Sequence, residues 1–200
     1  LISDLPQTPE GIDIVDFNDD GLLDILVASD DDGSVFLFQQ LRDGTYQDSV
    51  LLTGLEDSKH VAVADLDGDG LLDLVTATSD DASVSWYRQI PPELPLLSSS
   101  SSPYGNFAFG EKAVIFDAIP EVVVAITADM DGDGEIDIVA TSEELSLTYL
   151  FENDGEANFL NHLVFEGIVL FDENDLPSPM SMETYSLTSS AMVPMVRMRP

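Results

Sequence analysis

The residues with the clearest capacity for chemistry are carboxylates, and they recur at fixed spacing. Three nine-residue stretches, 16–24 (DFNDDGLLD), 65–73 (DLDGDGLLD) and 129–137 (DMDGDGEID), follow D-x-[DN]-x-D-G-x-x-D and hold 13 of the 39 acidic residues. An acidic run is ordinarily a solvated face or a tail. Here the acids alternate, a glycine falls at position 6 each time, and apolar segments flank both sides. Alternating oxygen donors converge on one point only where the backbone curls around a hard cation, and the glycine permits the sharp turn. Position 7 offers its backbone carbonyl, and the Asp at position 9 closes the shell. All-oxygen donors without imidazole or thiolate select calcium over zinc or copper.

An EF-hand loop begins in the same way but needs a bidentate Glu at position 12 and a helix on either side. Position 12 is Val27, Thr76 and Ala140 in the three stretches, and none of these side chains is a carboxylate. The flanks, such as 60–65 (HVAVAD) and 72–78 (LDLVTAT), are short, β-branched and bounded by turn residues. They predict strand–loop–strand.

The elements that position these loops form an internal repeat. The loops start 49 and then 64 residues apart, and 16–40 matches 65–89 at 12 of 25 positions without a gap. The register persists downstream, where 34–40 (SVFLFQQ), 83–89 (SVSWYRQ) and 147–153 (LTYLFEN) align. The longer second period falls after Gln89, in a low-complexity insertion holding Pro91, Pro92, Pro95 and serines 98–102, expected to be a loop without a function of its own. Each unit reads as four short strands, in the second unit about 61–66, 72–78, 84–89 and 107–115. Periods of this length built from four strands indicate β-propeller blades. The first strands, such as 122–128 (VVVAITA), are apolar on both faces and are expected to be covered on both sides. Trp86 and Tyr87 are expected to pack between blades rather than form a ligand platform.

The segment 61–75 (VAVADLDGDGLLDLV), followed by Ser85, Trp86 and Tyr87, resembles the FG-GAP and VCBS repeats, the calcium-loop blades of integrin-α-type propellers. The likeness covers about residues 11–167. It implies an all-β, partial β-propeller of three four-stranded blades (about 11–53, 60–115 and 122–167), with structural calcium loops between first and second strands. Carried over by position, the ligands would be Asp16, Asn18, Asp20 and Asp24, then Asp65, Asp67, Asp69 and Asp73, then Asp129, Asp131, Asp133 and Asp137. The carbonyls of Leu22, Leu71 and Glu135 would complete three Ca²⁺ shells. Complete propellers of this kind usually have about seven blades. After Gly167 the pattern decays, with Leu176 and Pro177 where Asp and Gly are required, so 168–200 reads as a degenerate tail and possible fourth-blade remnant without a calcium site.

Composition narrows the function. Six Lys and Arg against 39 Asp and Glu give a net charge of −33, which opposes binding to nucleic acid or to an anionic membrane. No run approaches the ~18 apolar residues of a membrane-spanning helix. The absence of Cys excludes disulfides and thiolate chemistry, and only His60 and His162 are available as imidazoles. The resemblance implies a non-enzymatic binding, adhesion or scaffold module of a larger secreted or surface protein, with a protein or carbohydrate ligand. The competing readings are an accessory propeller of a secreted lyase, dehydratase or phospholipase, or a lectin-like propeller using Trp86, Tyr87 or Tyr104. No unassigned carboxylate pair or repeated histidine supports catalysis. An arc of three blades would leave Ile12, Ile14, Val123 and Ile126 uncovered, which predicts self-association or a requirement for further blades.

Overall fold

A computed structural model of the chain describes residues 5–55, 57–91 and 107–166, and the backbone of two short strands within 185–194. The described residues are all-β. β1 (Pro9–Val15), β2 (Asp24–Ser29), β3 (Ser34–Gln40) and β4 (Tyr46–Thr53) form an antiparallel sheet in sequential order. β5 (Ser58–Ala64), β6 (Asp73–Thr78), β7 (Ser83–Tyr87) and β10 (Ala113–Phe116) form a second, while the short β8 (Gln89–Ile90) pairs with β9 (Ala108–Phe109). β11 (Val122–Ala128), β12 (Asp137–Ser142), β13 (Leu147–Asn153) and β14 (Phe159–Glu166) form a third. In the separate unit Val169–Pro200, β15 (Tyr185–Thr188) pairs with β16 (Ala191–Pro194).

The second and third strands of each sheet are joined by tight turns of one design. Gly33 N donates to Asp30 O at 2.8 Å, Ala82 N to Ser79 O at 3.0 Å and Ser146 N to Glu143 O at 3.3 Å. The closing residue is left-handed in all three, with φ of 54°, 52° and 51°. The first two of these residues also anchor the connection to the next sheet, because the amides of Leu55 and Ile119 donate to the carbonyls of Gly33 and Ala82. Leu55 and Ile119 are buried and plug the seams between sheets.

Two apolar seams hold the sheets together. The first joins Leu26, Ala28, Val35 and Leu37 to Val61, Val63, Leu74 and Tyr87. The second joins Ala62, Val75, Ala77 and Val84 to Val122, Ala125, Ile138 and Phe151. Every residue of β6 is buried, as a strand between two covered faces must be. Each fully buried Val or Leu in such a seam is worth about 1.5–3 kcal/mol. Trp86 packs against the second seam and Tyr87 lies within the first, the packing role expected of them.

Two expectations need correction. The fourth strand of the second sheet does not run unbroken over 107–115. It divides into β9 and β10, because Gly110 N turns to donate to Arg88 O at 2.8 Å and 110–112 bulge out of the ladder. Complete cover of the first strands holds for β5 alone, which lies between β1 and β11. Ile12, Ile14 and Ile126 are 55%, 56% and 48% exposed, as expected for the outer faces of three sheets, whereas Val123, expected to be uncovered with them, is half-buried. Val27, Phe36 and Phe38 on the Ile12 face of the first sheet form a buried cluster. Pro92, Pro95, serines 98–102, Tyr104 and 168–177 lie outside the described residues.

Candidate metal centre

Each acidic stretch leads from the first strand of a four-stranded sheet into the second: β1 to β2, β5 to β6 and β11 to β12. Within it the carboxylates organise the backbone. Position 1 accepts two amides, Asp16 from Asp20 (3.0 Å) and Gly21 (2.8 Å), and Asp65 from Asp69 (3.1 Å) and Gly70 (2.9 Å). Asp129 accepts from Gly132 (2.7 Å) and Gly134 (3.2 Å). The position 5 carboxylates of Asp20, Asp69 and Asp133 hold the amides of Leu22, Leu71 and Glu135 at 2.8–2.9 Å. The position 6 glycines, Gly21, Gly70 and Gly134, have φ of 87°, 84° and 99°, a region costly for any residue with a Cβ.

Position 9 has a second task. Asp24, Asp73 and Asp137 are 0%, 0% and 1% exposed. One oxygen of each accepts the amide of position 2, from Phe17 (3.2 Å), Leu66 (3.2 Å) and Met130 (2.9 Å). The other accepts an amide at the end of the third strand, from Gln40 (2.8 Å), Gln89 (2.7 Å) and Asn153 (2.9 Å). The carboxylate therefore staples the start of its loop to a strand 16 residues further on. Burial pushes the carboxyls of Asp24 and Asp73 above their ordinary range, against the amides that favour the charged form. Asn153 extends the staple, since its side-chain amide donates to the carbonyls of Leu66 in the second loop and Ile136 in the third.

Two loops gather their oxygens. One carboxylate oxygen from each of Asp65, Asp67 and Asp73 lies within 4.8 Å of the others, and Asp129, Asp131 and Asp137 form the same triad. Asp67 is decisive: its side chain is only 9% exposed, and its buried Oδ1 has no hydrogen-bond partner. A buried carboxylate oxygen left this way costs several kcal/mol unless a cation meets it. Residues 16–76 match the FG-GAP-like repeat.

The match runs from the first carboxylate of the first loop into β6 and so takes in the first two loops. No curated protein and no solved structure matches the chain. FG-GAP-like repeats generally bind calcium, and the all-oxygen triads with an orphaned carboxylate oxygen at Asp67 fit that ion. Asp69 and Asp133 stand outside the triads, and among the described residues the first loop forms no carboxylate triad. Its position 3 is Asn18, whose amide nitrogen donates to Asp20 Oδ2 at 3.2 Å.

The two histidines lie on different sheets. His60 in β5 is half-buried and its pKa is pushed down by desolvation, while His162 in β14 meets Glu152 at 2.8 Å on the surface. Two features of the site escaped the sequence. The staple partners Gln40, Gln89 and Asn153 are recognisable only once the third strand is seen ending beside position 9. Arg88 is the other: its Nε lies 2.6 Å from Asp67 Oδ2 and its Nη2 2.9 Å from Asp69 Oδ2. Its signal in the sequence is a lone cation at a position where the aligned units carry Gln39 and Glu152.

Proposed function

We infer that this chain is a calcium-stabilised β-propeller repeat module, non-enzymatic, that serves as a binding, adhesion or scaffold part of a larger secreted or surface protein. The second loop carries the reading, because its gathered carboxylates include the nearly buried Asp67 with an oxygen facing no partner. Bound calcium supplies the positive charge that offsets four or five crowded acids per loop. The ligands are those of positions 1, 3, 5, 7 and 9: Asp16, Asn18, Asp20, Leu22 and Asp24, Asp65, Asp67, Asp69, Leu71 and Asp73, and Asp129, Asp131, Asp133, Glu135 and Asp137. The site is structural, since position 9 ties each loop to the sheet that it caps. Sites of this kind suit the millimolar calcium outside cells. No helix of the described residues is long and apolar enough to cross a membrane. The exposed Ile12, Ile14 and Ile126 favour further blades or a second copy as the neighbour, and the packing of Trp86 and Tyr87 into the seams disfavours a glycan platform there.

Isothermal titration of the calcium-stripped chain tests this reading. About three calcium ions should bind, with magnesium much weaker because it prefers a rigid octahedral shell. Saturation at a hundredfold excess over Kd should stabilise the fold by about 2.7 kcal/mol per site, seen as a fall in Tm when EGTA is added. Absence of uptake, equal affinity for both ions, or an EGTA-insensitive Tm would overturn it.

A further inference from the structure

The residue just before the stapling amide occupies the same place in all three sheets, since the next residue's N–H always meets the position 9 carboxylate. That residue is Gln39 in β3, Arg88 in the second sheet and Glu152 in β13. A neutral, a cationic and an anionic side chain therefore stand at one register position beside three similar loops.

In the second loop the consequence is visible. The guanidinium of Arg88 reaches back to one oxygen of Asp67, at position 3, and one of Asp69, at position 5. Both carboxylates belong to the side-chain set a hard cation would use, and Asp67 is nine-tenths buried with its other oxygen unpartnered. Arg88 itself is half exposed at 52%, so the pair adds little to folding. Its effect falls on whatever else seeks those oxygens. In the third loop the corresponding residue is Glu152, whose carboxylate meets His162 Nε2 at 2.8 Å, so no cation stands there against the loop's carboxylates as Arg88 does in the second.

We propose that Arg88 is a tethered cation that competes with calcium for the second loop, making it a weaker site than the third, where no cation stands at this position. The proposal rests on the calcium reading above. A unit positive charge held a few ångströms from a divalent ion weakens binding on the order of tenfold at water-like dielectric, less at high salt. The chain would then fill its loops in sequence as calcium rises, the third before the second.

Site-resolved titration tests this on the full chain labelled with ¹⁵N-glycine. The position 6 amides of Gly70 and Gly134 each donate to the position 1 carboxylate of their own loop and so report the two sites separately. In the wild type, Gly134 should reach its midpoint at lower calcium than Gly70. Arg88→Gln, which installs the residue of the first sheet, should move the Gly70 midpoint about tenfold lower and leave Gly134 in place. Arg88→Lys should stay near wild type because it keeps the charge. A Gly70 midpoint unchanged in Arg88→Gln, or moved equally by Arg88→Lys, would overturn the proposal while leaving calcium binding intact. If neither glycine responds to calcium in any variant, the calcium reading falls and the proposal with it.

Discussion

Asp73 offers the sharpest separation between a carboxylate that only awaits a metal and one that already holds the fold. It accepts buried hydrogen bonds from Leu66 N at 3.2 Å and Gln89 N at 2.7 Å. Asp73→Ala leaves both amides unpaired in a site of 0% exposure, at roughly 1–3 kcal/mol each. Part of this is returned because the lost charge was itself penalised by burial. The expected cost is roughly 2–5 kcal/mol in EGTA, before any metal is considered. Asp69→Ala gives up one exposed bond to Leu71 N and an exposed ion pair, worth about 1 kcal/mol or less. Urea denaturation in EGTA, followed through the single tryptophan, Trp86, within the same sheet, reads the difference directly. With a slope of about 2 kcal/mol per molar urea, Asp73→Ala should lower the midpoint by about 1–2.5 M and Asp69→Ala by less than about 0.5 M. Asp73→Asn, which keeps one acceptor, should fall between them. Equal shifts for Asp69→Ala and Asp73→Ala without metal would refute the staple.

Three further outcomes follow from local geometry. A Cβ added at Gly11 would lie 2.6 Å from both His60 Cα and Lys59 O, so Gly11→Ala should force β1 from β5 and cost about 3 kcal/mol or more, read as a lower urea midpoint. Ala82 stands at φ 52° where the first sheet has Gly33 at φ 54°, so Ala82→Gly should stabilise by about 0.5–1 kcal/mol, seen as a raised Tm. Burial opposes ionisation of Asp81, but hydrogen bonds from Lys112, Thr78 and Ser83 outweigh it and hold the carboxyl below its ordinary value of 3.8. A depressed acid stabilises the fold above the unfolded value and loses that contribution as pH falls through the folded one. The Tm deficit of Asp81→Asn should therefore be complete near neutral pH, about 1 kcal/mol, and close in acid below about pH 3.8; a gap that stays constant with pH would refute it.

The loops and strands were legible because both are written in local sequence. Carboxylates at positions 1, 3 and 5 ahead of Gly70 or Gly134, between runs of β-branched residues, leave few alternatives to a cation loop between strands. The tighter parts of the site depend on residues brought together from a distance. The tie from Asp137 to Asn153 spans 16 residues, and that from Asn153 to Leu66 spans 87, so neither has a local signature. Arg88 has no local signature either, since only the end of β7 brings it to Asp67 and Asp69. The break of the fourth strand at Gly110 was hidden for the same reason, since Gly110 N could be assigned only once its acceptor, Arg88 O, was in place.

Among the described residues β5, the inner strand of the second sheet, pairs along one edge only, with β6, yet its other edge is occupied. Val63 N donates to Asp13 Oδ2 at 2.9 Å, and Val63 O accepts from the hydroxyl of Thr127 at 3.2 Å. Asp13 belongs to β1 and Thr127 to β11, so each neighbour contributes one polar stopper to the same residue. An open strand edge is a template on which another chain can extend a ladder, the usual first step toward aggregation. Here protection of that edge is shared among repeats: cutting the chain before β11 removes the stopper on the Val63 carbonyl and leaves it free for an intruding strand. Repetition thus protects β5 as well as burying it, and the shortest fragment safe from misassembly is set by Thr127 rather than by the hydrophobic seam alone.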